Sequence, residues 1–174
     1  MLGCVVEILS RIVSPVCVIA SRGPTLPQLP ADVLVGCDSE PRQGPLAGLL
    51  AGLKLLAPHV DRVFCSSCDT PLLQPDVVRF VISQLGDFEI AAPFDGKHWS
   101  PLCGVYRTNL AARIETATPP LNSPSSLIRL SRACRIPLDE IGRIDPNFLS
   151  LRNLNTPEEY QSGLKAWKST FRDG

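Results

Sequence analysis

The chain alternates between short apolar runs and longer segments in which apolar residues recur at helical spacing. The runs at residues 16–20, 33–35 and 63–68 show no polar alternation, which predicts strands buried on both faces, as in a parallel sheet. Residues 2–13 and 46–56 gather their apolar positions on one side, which predicts amphipathic helices that end before prolines. Strands and helices joined by short loops predict an α/β fold with a parallel sheet in three layers.

The second half of the chain continues this alternation. Strands are predicted at residues 90–92 and 102–106, a turn at residues 95–96, and helices at residues 76–85, 109–117, 125–133 and from about 157. No internal repeat and no long linker interrupts residues 1–174, so a single domain is expected.

Composition narrows the functional classes. Lys plus Arg equals Asp plus Glu at 17 each, so there is no basic surface for nucleic acid. No apolar run reaches the ~18 residues of a membrane span, and residues 1–4 lack the basic region of a signal peptide. The seven cysteines lie mostly in apolar runs, which favours reduced core thiols and a cytoplasmic location. For the pair Cys65 and Cys68, core packing is favoured over a metal or redox site.

The strand predicted at residues 63–68 leads directly to a carboxylate, Asp69. Pro71 cannot donate to a sheet ladder and favours an extended conformation at Thr70, so the strand must stop there. Asp69 is therefore expected at the carboxyl end of a strand, which is the ligand-binding edge of open α/β sheets. The alternative is that Asp69 or Thr70 only caps a turn.

A second carboxylate, Asp38, also follows an apolar strand. One strand–helix–strand unit separates it from Asp69, and a right-handed crossover places both at the same sheet edge. Such a pair can hold a ribose and a magnesium ion, which takes one or two protein carboxylates beside phosphate oxygens. Two acids that only cap loops are an equally good explanation of the pair alone.

The segment at residues 43–52 is rich in glycine. Gly44 lets the backbone approach a ligand closely, and Pro45 suits the first position of a helix. Gly48 and Gly52 each cost roughly 1 kcal/mol relative to Ala inside a helix, which close packing on the sheet would offset. The free amides at the helix start can also face a polar ligand.

The segment at residues 153–159 carries a helix start. Thr156 is the predicted cap, Pro157 the first helical residue, and Glu159 completes a capping box. The box leaves Asn153 and Asn155 unexplained, and their amides offer donors and acceptors at the mouth of the sheet.

Taken in order, these segments and Pro101-Leu102 resemble molybdenum cofactor guanylyltransferases over residues 5–164. The resemblance implies a Rossmann-like nucleotidyltransferase domain that transfers GMP from GTP to molybdopterin and releases pyrophosphate. It implies that Asp69 binds magnesium and the GTP phosphates and is the catalytic residue. It places Asp38 towards the guanosine, Asn153 and Asn155 towards the pterin, Gly44 in the nucleotide site, and Ser21 where the family usually has a nucleotide-contacting Asn.

The chain departs from the family at its start. Members begin with a strand and a glycine-rich Leu-Ala-Gly-Gly loop, followed by an Arg-Met-Gly and a Lys that hold the triphosphate, whereas this sequence opens within the first helix. The resemblance therefore implies an N-terminally truncated domain that lacks its first strand and main phosphate cradle. Arg22, Arg42 and Lys97 are candidate substitutes.

Two alternatives stay open. One is another nucleotidyltransferase of the superfamily, such as a molybdopterin cytidylyltransferase. The other is a non-catalytic remnant that binds a molybdopterin-handling protein, a molybdoenzyme or a full-length paralogue.

Overall fold

A computed structural model describes residues 1–21, 26–38, 44–156, 158–159, 161–163 and 165. Most of the described helices and strands follow the order that the sequence predicts. The helices are α1 (Leu2–Ser10), α2 (Pro45–Leu56), α3 (Pro75–Ser83), α4 (Leu110–Thr116), α5 (Pro124–Arg129) and α6 (Leu138–Ile144), with a 3-10 turn at Leu149–Leu151. The strands are β1 (Cys17–Ala20), β2 (Leu34–Cys37), β3 (Arg62–Ser66), β4 (Ile90–Phe94), β5 (Cys103–Arg107) and β6 (Ala133–Pro137).

The strands form two sheets. β1 and β2 pair in parallel, while the second sheet has the order β3-β5-β4-β6. The α/β class is confirmed, but β5 runs antiparallel to both β3 and β4. The reason is the connection between β4 and β5, residues 95–102, which contains no crossover helix and therefore returns the chain in the opposite direction.

Helices cover both faces of the strands, which confirms the three layers. One apolar core joins α1, α3 and α6 to the strands, and a second core joins α2, α4 and α5 to the opposite face. Neighbouring strand residues alternate between the two cores: Ala91 and Val105 belong to the first, Ala92 and Tyr106 to the second. The doubly buried strands explain the apolar runs of the sequence.

Several predicted boundaries are wrong. The helix predicted at residues 125–133 ends at Arg129, and Ala133 already begins β6. The sequence does not predict this strand, because it carries Arg135 and lacks a continuous apolar run. Helix α6 follows β6 immediately and was not predicted. Helix α1 ends at Ser10, three residues before the predicted residue 13, although turn hydrogen bonds continue to Val13.

Two adjoining cavities, of about 320 and 340 Å³, separate β1 from β3. The first is lined by the starts of both strands, at Cys17 and Arg62, and the second extends to their later residues, Ile19 and Ser66. β1 and β3 therefore run in the same direction on opposite sides of one cleft. In the described part of the chain no strand lies between them.

Within the same residues, no helix is long and apolar enough to cross a membrane.

Candidate active site

The carboxyl ends of all the described strands except β5 lie at one edge of the molecule. β3 and β4 both pair antiparallel with β5, so they share a direction, and β6 is parallel to β4. β1 runs with β3 across the cleft and is parallel to β2. Asp38, which follows β2, and Asp69, which follows β3, are therefore at the same edge, as the crossover argument predicts.

The turn after β3 is fixed by Thr70 rather than by Asp69. The Thr70 hydroxyl donates to the Ser67 carbonyl oxygen at 3.0 Å and lies 3.3 Å from the Ser66 hydroxyl. Thr70 is only 4% exposed. The interpretation of this segment as a capped turn is thus correct for Thr70. The turn does not use the Asp69 side chain, which can therefore contact a ligand.

One carboxylate oxygen of Asp69 has no partner. Its Oδ1 atom is buried and, within the described structure, accepts no hydrogen bond. A buried acceptor without a partner costs on the order of 1–3 kcal/mol, and more when it carries charge. A cation or a ligand donor at this position would remove that cost.

The asparagines of the C-terminal segment are brought to the same place. Leu154 is 3% exposed, and its N–H donates to the main-chain carbonyl of Asp69 at 2.9 Å. Asn153 and Asn155 flank this anchored residue, and both are exposed. The structure therefore joins the two segments that the resemblance assigns to different substrates, while the roles of the asparagines stay predictions.

The capping box is confirmed and also fixes the backbone of Asn155. Glu159 Oε2 accepts the N–H groups of Asn155 at 2.9 Å and Thr156 at 3.1 Å, and Thr156 Oγ1 accepts the N–H of Glu159 at 3.2 Å. The hydrogen bond from Asn155, followed by that from Thr156, holds the pKa of Glu159 below its ordinary value. Pro157 lies outside the described residues.

Asp38, Ser21 and Gly44 mark the other side of the edge. The N–H of Asp38 donates to the carbonyl of Ala20 at 3.2 Å, which extends the β1–β2 ladder by one residue. Ser21 directly follows β1 and is exposed. Gly44 adopts φ 112° immediately before α2, a conformation that favours glycine, and Pro45 is the first helical residue as predicted.

Of the candidate phosphate-binding cations, only Lys97 lies in the described structure. It belongs to the turn after β4, at the same edge as Asp69, and its N–H donates to Asp95 Oδ1 at 2.7 Å. Its side chain is exposed and positively charged, which suits contact with an anion. Arg22 and Arg42 fall outside the described residues.

Sequence reasoning missed an aromatic and cationic group at this edge. The rings of Phe94 and Trp99 are 4.8 Å apart, and the Arg135 guanidinium lies 5.2 Å from the Phe94 centroid and 6.0 Å from that of Trp99. Phe94 and Trp99 also form an isolated antiparallel bridge. Arg135 belongs to β6, which was not predicted, so no local signal linked it to Trp99.

Of the pair Cys65 and Cys68, only Cys65 packs against the core as predicted. Burial raises the pKa of Cys65 to about 12, so its thiol stays protonated and unreactive. Cys68, its partner in the pair, is exposed. No group of three His, Cys, Asp or Glu side chains able to hold a metal occurs among the residues that the structure describes.

Comparison with known proteins identifies the family. The model of the MobA-like NTP transferase domain matches residues 1–134. The chain belongs to the MobA-like NTP transferase family.

Curated relatives are named as molybdenum cofactor guanylyltransferases, the family that the sequence motifs resemble. The molybdenum cofactor guanylyltransferase of Desulfosudis oleivorans is 30% identical over 132 residues, which cover 73% of this chain and 63% of the relative. A probable molybdenum cofactor guanylyltransferase of Carboxydothermus hydrogenoformans is 27% identical, with 74% and 64% covered. One from Mycobacterium tuberculosis is 33% identical over 156 residues, with 87% and 76% covered. The chain thus spans less than two-thirds of the first two relatives.

Solved structures show the same fold. The molybdopterin-guanine dinucleotide biosynthesis protein A of Archaeoglobus fulgidus superposes with a TM-score of 0.64 at 18% identity, over 79% of this chain and 69% of its own. A protein from Aquifex aeolicus gives a TM-score of 0.69 at 20% identity, over 89% and 78%. At these identities the likeness concerns the fold alone.

Proposed function

We propose that this MobA-like nucleotidyltransferase domain takes part in the transfer of GMP from GTP to molybdopterin, with release of pyrophosphate. The unpartnered Asp69 Oδ1 at the carboxyl end of β3 is the observation that carries the proposal. The names of the curated relatives support the choice of substrates.

The edge offers each substrate a separate set of groups. Asp69 faces the reacting phosphates in this proposal, while Asp38 and Gly44 lie towards the nucleoside across the cleft. Asn153 and Asn155, held beside Asp69 by the hydrogen bond of Leu154, are the acceptor side. Phosphoryl transfer depends mainly on positioning and charge neutralisation, and the hydrogen bonds of Thr70 and Leu154 hold Asp69 in position for such a role.

Asp69 is the proposed ligand of magnesium. A buried carboxylate oxygen without a donor fits a hard cation, and magnesium commonly takes one or two protein carboxylates together with phosphate oxygens. When bound, the ion would neutralise charge on the phosphates. The protein's own part is to hold Asp69 through the Thr70 turn and the Leu154 anchor.

The test is formation of molybdopterin guanine dinucleotide from GTP and molybdopterin, with pyrophosphate release followed in parallel. We expect product that depends on magnesium and on Asp69, with Asp69→Ala lowering the rate by about a hundredfold or more, which corresponds to about 2.7 kcal/mol. Ser83→Ala is the matched control, because Ser83 is exposed on α3 and donates only to the Phe80 carbonyl within that helix.

Three outcomes would contradict the proposal: no product from GTP, equal product from CTP, or a near wild-type rate in Asp69→Ala. Equal use of CTP would favour a cytidylyltransferase or a less selective enzyme of the same family.

A further inference from the structure

Arg135 lies over two aromatic rings and keeps its hydrogen-bonding groups free. Its guanidinium carbon is 5.2 Å from the centroid of the Phe94 ring and 6.0 Å from that of the Trp99 ring. Within the described structure its side chain forms no hydrogen bond and no ion pair, whereas Arg107 and Arg113 are both paired with carboxylates. Stacking uses the flat face of a guanidinium and leaves its N–H groups available. Phe94, Trp99 and Arg135, here named the stacking cluster, therefore present free donors on a restrained side chain.

The stacking cluster lies on one face of the four-stranded sheet, near its carboxyl edge. Arg135 is in register with Ala92 on the neighbouring strand, and Phe94, two residues further along β4, forms an isolated antiparallel bridge with Trp99. Side chains two residues apart on a strand share a face, so Phe94 shares the face of Ala92, which belongs to the core that includes α2, α4 and α5. Trp99 packs against that same core. The cluster therefore rests on the folded core.

A short distance across the sheet separates the stacking cluster from Asp69. The strand order β3-β5-β4-β6 puts Asp69 after the first of these strands and Arg135 on the last. Neighbouring strands are ~4.8 Å apart, so β3 and β6 are about 14 Å apart. Trp99 lies between them, on the β5 side of β4. Asp38 and Gly44 lie in the opposite direction from Asp69, across the cleft. The cluster is thus on the side of Asp69 that the proposed nucleoside site does not occupy.

The chemistry of the cluster fits a flat fused ring that carries a carbonyl oxygen beside a ring nitrogen. Aromatic side chains and guanidinium planes both stack on such rings. The fork of an arginine donates two hydrogen bonds to a carbonyl oxygen and a neighbouring ring nitrogen, as it does to O6 and N7 of guanine. A pterin presents the same pair of acceptors at O4 and N5. Phe94 and Trp99 are half-buried, which leaves part of each ring open to such a ligand.

We propose that the stacking cluster binds the pterin ring of the acceptor, with Arg135 donating to O4 and N5 and Trp99 stacking on the ring. This inference rests on the proposed transfer of GMP to molybdopterin, and it adds a site for the part of the acceptor that lies farther from Asp69. Guanine shares the recognised chemistry, but the groups proposed for the nucleoside, Asp38 and Gly44, lie on the opposite side of Asp69. Arg135 and Trp99 therefore select the acceptor and take no part in the transfer itself.

The probe is hydroxymethylpterin, which contains the ring without a phosphate. Its binding to the full chain is measured by equilibrium dialysis, with the fluorescence of the pterin as the signal. The control ligand is the pteridine of the same shape in which an amino group replaces the O4 carbonyl, because this change puts a donor opposite the donors of Arg135. We expect the wild type to prefer the pterin at least about fivefold, since a bidentate pair discriminates against a ligand that lacks one of its two acceptors.

Arg135→Lys tests the fork, because lysine keeps the positive charge but cannot donate in the same planar geometry. We expect this variant to bind the pterin at least about fivefold more weakly and to bind the two ligands within about twofold of each other. Arg132→Lys is the matched control, because Arg132 is also exposed but lies at the opposite end of β6, where it donates to the Asp87 carbonyl at 3.2 Å. It should keep the affinity and the preference of the wild type within about twofold. A merely structural Arg135 would change the affinity for both ligands alike.

Trp99 supplies a spectroscopic readout of where the ring binds. The chain has two tryptophans, Trp99 and Trp167, so the Trp167→Phe variant emits from Trp99 alone. Pterins absorb at the wavelengths at which tryptophan emits, so a pterin stacked on Trp99 should quench that emission in step with the occupancy measured by dialysis. GMP, added as the competing fused ring, should neither displace the pterin nor quench Trp99.

Several results would overturn the assignment of the pterin to the stacking cluster. They are equal binding of the two pteridines by the wild type, equal effects of Arg135→Lys and Arg132→Lys, or pterin binding that leaves the emission of Trp99 unchanged. Binding of GMP that depends on Arg135 and displaces the pterin would show that the guanine base occupies the cluster instead.

Failure of this inference differs from failure of the proposed transfer. Product formation with an unchanged KM for molybdopterin in Arg135→Lys would contradict the role of the cluster alone. Pterin binding that depends on Arg135, in a protein that forms no product from GTP, would contradict the transfer alone.

Discussion

Replacing Asp69 with alanine tests whether its carboxylate serves a ligand or stabilises the turn. The two roles predict changes of opposite sign in the free energy of unfolding. When a carboxylate that caps a turn is replaced by alanine, the folded protein loses about 0.5–2 kcal/mol of stability. The unpartnered Oδ1 of Asp69 instead carries a desolvation penalty on the order of 1–3 kcal/mol, which the replacement removes. The hydrogen bond from Leu154 survives, because it is accepted by the main chain of residue 69.

We therefore expect Asp69→Ala to unfold in urea at the same or a higher midpoint than the wild type, at neutral pH and with magnesium removed. Added magnesium should raise the midpoint of the wild type alone, since a ligand that binds only the folded state stabilises it. The matched comparison is Thr70→Val, which removes the two hydroxyl contacts at 3.0 and 3.3 Å. It should lower the free energy of unfolding by about 1–2 kcal/mol.

The reasoning would be refuted if Asp69→Ala lost about 0.5–2 kcal/mol of stability in the absence of magnesium, the range expected of a lost cap. Such a loss would mean that the carboxylate stabilises the turn. Equal stabilisation of the wild type and Asp69→Ala by magnesium would place the ion elsewhere.

The remaining predictions concern the acceptor side and acid stability. Asn155→Ala should weaken molybdopterin binding and spare GTP binding in calorimetry, and equal losses would contradict the acceptor role. Glu89 accepts hydrogen bonds from two N–H groups of Arg113, at 2.6 and 3.0 Å. Mainly because of these bonds, the pKa of Glu89 lies below its ordinary value of 4.5. Its stabilisation, about 1 kcal/mol, should be present above pH 4.5 and lost as pH falls through the lowered pKa. Glu89→Gln should therefore flatten the fall of the urea midpoint with acid, and an unchanged slope would refute this.

The sequence was most informative where one local rule determines the structure. The apolar run before Asp69 predicted a strand, and β3 is there, although it ends at Ser66, three residues before Asp69. The Thr156–Glu159 spacing predicted a capping box that the structure contains. Pro45 predicted the start of α2 for the same reason, since proline is fixed in a conformation suited to the first turn.

Features that depend on distant partners were not predictable in this way. β6 carries Arg135 at an exposed position and ends on proline, so its pattern is not that of a buried strand, yet it pairs in parallel with β4. The antiparallel direction of β5 depends on the return of the chain after β4. The environment of Asp69 depends on Thr70, whose hydroxyl holds the turn, and on Leu154, whose N–H donates to the Asp69 main-chain carbonyl from far along the chain.

The cleft and the candidate active site meet at one strand, and this has a physical consequence. The second cavity is lined by residues 65–68, so the wall of the cleft ends immediately before Asp69. β3 is paired on one edge only in the described structure, and a strand with one ladder opens more easily than a strand with two. In the described structure the Thr70 turn and the Leu154 hydrogen bond, rather than a second ladder, restrain the segment that carries the carboxylate. Catalysis by positioning depends on such restraint, because small displacements of a reacting group are costly. The activity proposed for Asp69 is therefore expected to depend on the Thr70 turn as well as on the carboxylate itself.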